Sequence, residues 1–298
     1  MINHQTPFAK SIRKLLFFWL FLIPFIYGYA QNQTHKATNI QSPFIFDNNN
    51  LEQNAKDLSA IYSQMGKYYK GVEKANTALL EEVFHENWFM RDTETSLEAT
   101  LNVENKQKFI RRVSNHGPYP GYAKDRKFTT IGLANDNIAF VRVNKKSSTS
   151  FFLYKVDNEW IIIDKLWTPI PSANSSENQS SAYSQVEELL HGYFKALNHS
   201  NKELLNQILH TQWDRKIIDA NNKITIINKN TFLQNLKINQ NLTSYDQLRA
   251  IDVYHGKLAI VRIDFTKNLT TSFLFLFKVD GKWKIAGERT TIKKNVNS

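Results

Sequence analysis

The chain has 298 residues, 42% hydrophobic and 22% charged, the balance of a folded protein of about two domains; an intrinsically disordered chain is excluded. It contains no cysteine, which rules out disulfides, thiolate metal ligands and cysteine nucleophiles. The net charge of +11 comes from scattered Lys and Arg with no long basic tract, so it reads as a solvated basic surface and not as a nucleic-acid site.

Chain order begins with a leader. Lys10, Arg13 and Lys14 precede an apolar run from Leu15 to Tyr27, and Gly28-Tyr29-Ala30 supplies small residues before polar Gln31-Asn32. This is the layout of a cleaved secretory signal over residues 1–30, with an apolar core shorter than the roughly 20 residues that span a bilayer. Its removal takes three positive charges and no acids, lowering +11 to about +8. The expected location is periplasmic or secreted, with no membrane attachment after cleavage. Residues 31–50, ending Asp47-Asn48-Asn49-Asn50, read as a disordered linker.

A long helix is predicted next, because Leu51, Ala55, Leu58, Tyr62, Met65, Tyr69 and Val72 recur at three- and four-residue steps. Gly66 and Gly71 weaken that pattern. A second, short helix is capped near Asn76-Thr77 and carries Leu79, Leu80, Val83 and Phe84; a third holds Phe109, Ile110 and Val113. The loop His116-Gly117-Pro118-Tyr119-Pro120-Gly121-Tyr122 is turn-rich and aromatic, a surface connection or a cover for a pocket mouth. Strands follow at 138–143 and 149–156, and the turn Asp157-Asn158 leads into one containing Trp160.

Residues 172–182 have the Ser- and Asn-rich composition of a linker. Beyond them Tyr183, Val186, Leu189, Leu190, Tyr193, Phe194 and Leu197 form another apolar stripe, with Ser184 and Glu187 as its expected capping box. Short helices with Leu204, Leu205, Ile208 and Leu209, then with Phe232, Leu233 and Leu236, precede strands at 258–263 and 271–279. The turn Asp280-Gly281 leads to Trp283.

The second half thus repeats the first. Tyr68-Tyr69-Lys70 matches Tyr193-Phe194-Lys195; His85 matches His210 and Trp88 matches Trp213. Ile138-Ala139-Phe140-Val141-Arg142-Val143 matches Leu258-Ala259-Ile260-Val261-Arg262-Ile263, and Lys155-Val156-Asp157 with Trp160 matches Lys278-Val279-Asp280 with Trp283. Units this long are domains and not a solenoid array; they cover residues 51–171 and 183–293. Helices followed by hairpin-connected strands give an α+β class. Each domain is expected to be a cone, a curved and mostly antiparallel sheet wrapped on the long N-terminal helix and two short ones.

The shared residues resemble the nuclear transport factor 2-like superfamily, and within it the exported group called putative lumazine-binding. The pattern is carried by Tyr68, Gly71, Leu79, Leu80, Phe84, His85, Phe109, Ala139, Val141, Arg142 and Trp160. It recurs in Tyr193, Ala196, Leu204, Leu205, Leu209, His210, Phe232, Ala259, Val261, Arg262 and Trp283. The resemblance implies a cone with an apolar pocket and a few polar groups at its mouth. The superfamily holds isomerases, dehydratases, transport factors and plain binding modules, so fold alone does not give activity.

Candidate ligand-binding residues are Tyr68, His85, Trp88 and Arg142, with Tyr193, His210, Trp213 and Arg262 in the second copy. Hydroxyl, imidazole and guanidinium together suit a small apolar or anionic ligand. The competing structural readings are helix-terminal histidines, core tryptophans, and arginines one step off the apolar strand face, aimed at solvent or at the opposite domain. Among superfamily enzymes, ketosteroid isomerase chemistry needs a carboxylate base, a tyrosine and a protonated acid. Asp92 falls near the base position and Tyr68 near the tyrosine position, but no third acid follows and Ile217 replaces Asp92 in the second copy. Non-enzymatic binding is therefore the favoured expectation. An isomerase- or dehydratase-like enzyme, and a scaffold pairing domain on domain or as a homodimer through sheets, are the alternatives. No metal-ligand pair and no cofactor motif is present in the sequence.

Overall fold

The computed structural model describes residues 51–93, 100–124, 127–144, 147–169, 179–236, 248–265 and 270–292. The expected leader, the 31–50 linker and residues 172–178 of the inter-domain linker lie outside them. Among the described residues no helix is long and apolar enough to cross a membrane.

The predicted long helix forms as α1, Leu51–Glu73, unbroken by its glycines. Gly71 has a packing role: a Cβ there would lie 2.8 Å from Leu80 Cδ2, so its absence lets the next helix, α2 (Thr77–Val83), approach closely. Asn76 caps α2 by accepting from the Leu79 amide at 3.1 Å, satisfying a donor that the first turn leaves open. The chain then enters β1 (Phe84–Thr93) and β2 (Leu101–Asn105) before α3 (Lys106–His116). The strands β3 (Lys127–Ala134), β4 (Ile138–Asn144), β5 (Ser147–Val156) and β6 (Glu159–Pro169) complete the unit.

The second unit repeats this as α4 (Gln179–Asn198), α5 (Lys202–Ile208), β7 (Leu209–Ile218), β8 (Ile224–Asn228) and α6 (Lys229–Gln234). It ends with β9 (Leu248–Tyr254), β10 (Leu258–Phe265), β11 (Thr270–Val279) and β12 (Lys282–Ile292). The caps repeat too: Asn201 serves Leu204 at 2.9 Å as Asn76 serves Leu79. Asp157 and Asn158, at φ 49° and 66°, make the expected turn, and Asp280 and Gly281 its counterpart at 48° and 71°. Two successive positive φ values suit the twist of a tight hairpin.

Each sheet has six strands, in the orders β2-β1-β6-β5-β4-β3 and β8-β7-β12-β11-β10-β9. Every pairing is antiparallel except β1 with β6 and β7 with β12. The architecture is therefore α+β in two tandem domains. The helices-then-strands order needs correction, since β1, β2, β7 and β8 stand between helices. Phe84 and Leu209 open strands and do not end helices. α4 begins at Gln179, inside the span expected as linker, so Ser184 is no cap and bonds back to the Ser180 carbonyl at 3.2 Å.

Strand alternation divides the apolar residues between two destinations. Ala139, Val141 and Val143 of β4 face their own helix with Ile61, Met65 and Tyr68; Val186, Leu190 and Tyr193 meet Ala259, Val261 and Ile263 likewise. The opposite faces form a third core. Phe140, Phe152 and Tyr154 from one sheet join Phe273, Phe275 and Phe277 from the other, with Phe152 5.6 Å from Phe273 and 6.0 Å from Phe275 between ring centres. The two sheets pack back to back.

Five charges are buried beside that third core. Asp164 accepts from Arg91 at 2.7 Å and from Arg289 Nη2 at 2.8 Å, and Lys216 Nζ lies 3.2 Å from it. Asp214 accepts from Arg91 at 2.6 Å and Arg289 at 3.0 Å. Three bases thus face two acids. Burial, with Arg289 and Arg91 adding to it against the two carboxylates, lowers Lys216 to about 7. Its hydrogen bonds to the Asn87 and Ile163 carbonyls, at 2.7 and 3.1 Å, favour the ammonium. Two arginines already balance two aspartates, so Lys216 is the base whose proton is surplus.

Candidate functional site

Each sheet curves around its helices and leaves a cavity on the helix side. The first, about 520 Å³, lies among β1, β2, α3 and β6 and is bounded by Asp92, Glu104, Phe109, Arg112, Tyr122 and Lys165. The second, about 690 Å³, is bounded by Tyr193, Arg215, Phe232, Ser272, Glu288 and Thr290 among apolar side chains. Both volumes fall in the range of small-molecule sites.

The second cavity has a polar floor whose members satisfy one another. Arg215 on β7 donates to Glu288 on β12 at 2.7 Å, and Tyr193 on α4 donates to the same oxygen at 3.3 Å. Ser272 and Thr290 reach the other carboxylate oxygen at 3.0 and 3.2 Å. Glu288 is 3% exposed, so without these contacts its charge would be strongly destabilising. Burial, then Glu288 beside it, pushes the Tyr193 phenol up, which keeps it a neutral donor.

The first cavity is built differently. Arg112 on α3 grips Glu104 on β2 through two bonds, at 3.0 and 2.7 Å. Asp92 on β1 accepts from Asn102 at 3.1 Å; burial raises its carboxyl above the usual carboxylate value, with Asn102 and Lys165 opposing. The aromatic loop closes over this cavity. The Tyr119 amide donates to the Glu73 carbonyl at 3.1 Å and the Gly121 amide to the Glu73 carboxylate at 3.0 Å. His116 stacks on Tyr119 at 3.6 Å. Gly117 and Gly121, at φ 78° and 74°, supply turns that a side chain would strain.

Of the residues expected at a site, Asp92 and Tyr193 line cavities. Tyr68 is wholly buried and reaches the first cavity through Tyr122, whose hydroxyl lies 3.0 Å from its own. Trp88 and Trp213 sit in the two cores, stacked on Phe84 at 4.3 Å and tilted against Phe232 at 4.8 Å. His85 and His210 are strand residues whose Nδ1 atoms accept from the Asn87 and Gln212 amides at 3.1 Å. Burial lowers both pKa values, with Lys216 adding to the effect on His85 and Arg91 to that on His210.

The arginines point away from the pockets, as strand alternation from the Ala139-Val141 face requires. Arg142 pairs with Asp252 of the other half at 3.4 Å and lies over the Tyr254 ring at 4.1 Å. Arg262 holds Asp264 of its own strand at 3.0 Å.

The polar groups that do line the cavities, Lys165, Arg215 and Glu288 foremost, were not among the expected residues. Their signal is present in the repeat. Strand register pairs Met90 with Lys165 in the first copy and Arg215 with Glu288 in the second. The same two places thus carry a methionine and a lone cation in one copy and an ion pair in the other.

A family model described as "Putative lumazine-binding" matches residues 56–168 and again 181–288. Similar solved structures include an NTF-2 like protein of unknown function from Silicibacter pomeroyi DSS-3, 12% identical, covering 38% of this chain and 96% of its own, at a TM-score of 0.33. Another, from Shewanella baltica OS155, is 20% identical over 40% of this chain and 97% of its own, also at 0.33. A third, from Methylobacillus flagellatus KT, is 22% identical over 38% and 92%, at 0.31. No curated protein matches.

Proposed function

The chain belongs to the putative lumazine-binding family, whose domain it carries twice, and from that premise we propose that it is an exported, non-enzymatic small-molecule binding protein. The observation carrying this reading is the second cavity, about 690 Å³ with its polar floor already internally paired. Such a floor orients a ligand through hydroxyl and guanidinium groups while asking no charge of it, so the favoured guest is neutral and largely apolar. Mass spectrometry of small molecules retained by the purified protein tests this directly, with lumazine as the first compound to titrate. A retained or titrated compound that is lost from Ile217→Trp, which fills the second cavity, supports the reading. No retained compound, and no thermal shift with lumazine or other bicyclic aromatics, refutes it.

One observation favours a catalytic second reading. Asp92 lies in the first cavity with its carboxyl raised by burial, the direction in which enzymes tune a carboxylate base. Its expected partner Tyr68 has its hydroxyl against Tyr122. Deuterium exchange α to the carbonyl of a cyclic ketone, abolished in Asp92→Asn, would support that reading; exchange no faster than in buffer excludes it.

A further inference from the structure

Lys165 is 8% exposed and lies on the floor of the first cavity. Its ammonium is 5.8 Å from the centre of the Tyr68 ring and 5.5 Å from that of Phe109. Among the described residues it makes neither a hydrogen bond nor an ion pair. The other charges around the cavity do not answer it. Glu104 is engaged by Arg112 at 2.7 Å; Lys108 adds a like charge at the edge. Asp92 is near enough to feel Lys165 but makes no ion pair with it and takes its hydrogen bond from Asn102.

A largely buried cation without a partner gives up much of its hydration, and two aromatic faces offset only part of that. The second copy shows what is missing. There the residue at the Lys165 position is Glu288, joined to Arg215 on the neighbouring parallel strand at 2.7 Å. In the first copy Met90 stands in place of the arginine and Lys165 in place of the carboxylate, so the cavity holds a cation with no counter-charge beside it.

We infer that the first cavity is a binding site for a planar aromatic monoanion, a carboxylate or similar oxyanion, whose charge pairs with Lys165. The ring system lies against Phe109, Tyr119, Tyr122 and Trp167, which line the space, and about 520 Å³ accommodates a bicyclic compound. The two cavities then differ in kind, the second taking a neutral guest and the first an anion. This rests on the binding reading above and specifies the ligand class of the other copy.

Calorimetric titration of the purified protein with 2-naphthoate and with uncharged 2-naphthamide tests it. The expected result is naphthoate at least tenfold tighter than naphthamide. Lys165→Met should abolish that preference while changing naphthamide affinity less than twofold, and Lys165→Arg should keep it. Val103→Trp, which fills the first cavity, should remove naphthoate binding, and Ile226→Trp in the second should not. Without any probe, Lys165→Met should melt at or above the wild-type temperature, because it removes an unpaired charge from a mostly covered, aromatic-lined site. Equal affinity for the two probes, or a preference that survives in Lys165→Met, overturns the anion assignment and leaves small-molecule binding standing. A Lys165→Met chain that fails to fold overturns it as well, since the ammonium would then hold the structure. If neither probe binds at millimolar concentration the inference falls, and a compound retained in the second cavity separates that failure from failure of the binding reading.

Discussion

Replacing Asp164 by asparagine removes, without a change of volume, one of the two carboxylates that hold the buried cations where the two sheets meet. The carboxylate is fully buried and holds Arg91 at 2.7 Å, Arg289 at 2.8 Å and Lys216 at 3.2 Å. Asparagine keeps the volume and can accept from one of these donors. It leaves three buried cations facing Asp214 alone. Removing one partner from a buried pair costs about 3–5 kcal/mol, and partial deprotonation of Lys216 offsets some of it, so about 4 kcal/mol is expected. For a unit of this size each kcal/mol lowers Tm by about 2–4 °C, giving a fall of about 8–16 °C. Calorimetry and urea unfolding measure it, and the double variant Asp164→Asn with Lys216→Met should recover part of the loss, because the two sites are coupled. A loss below about 1 kcal/mol, or no recovery in the double variant, would refute the view that this network joins the two halves.

The same network predicts a pH dependence. Lys216, at about 7 against an ordinary 10.5, is deprotonated in the folded chain and protonated in the unfolded one across that window, so stability rises with pH there. His85 and His210, lowered by burial from 6.5, add a loss as pH falls through 6.5. The urea midpoint should therefore climb from pH 6 to 9, and Lys216→Met should flatten the part above 7; a flat or falling wild-type profile between 7 and 9 contradicts the assignment. The buried Tyr154 and Tyr193, raised by burial, oppose this trend only above pH 10. Gly287→Ala places a Cβ 2.1 Å from Cζ of buried Phe275, and should destabilise by about 1–3 kcal/mol through overpacking; an unchanged urea midpoint would mean that Phe275 can move aside. Because each sheet's outer face is covered by the other half, light scattering should find a monomer, and a dimer at micromolar concentration would show that some other surface pairs.

Much of the fold was legible because the repeat preserves what geometry demands. The cap asparagines Asn76 and Asn201, the Asp157-Asn158 and Asp280-Gly281 turns and the Ala139-Val141 face recur at fixed offsets. The β1 and β7 strands were not legible. The buried positions are Phe84, Trp88, Arg91 and Thr93 on β1 and Leu209, Trp213, Asp214, Lys216 and Ile218 on β7, because one face meets helices and the other meets the opposite sheet, and the period of two is lost. The cavity residues were missed for a related reason. Matching positions between copies selects residues that packing keeps alike, such as Trp88 with Trp213. The pockets instead differ at Lys165 and Glu288, and a search for likeness passes over positions that have diverged.

The joining of both halves in one polypeptide has a consequence for what the protein can become. In a symmetric pair of identical subunits every substitution is made twice, and a residue near the axis meets its own copy. Asp164 stands where the other half has Gly287, and that glycine leaves room for Phe275. Two aspartates, or two glycines, at this place would build a different interior. A single covalent chain is free of the twofold rule, so an odd number of charges can settle inside it and each mouth can be shaped for its own guest.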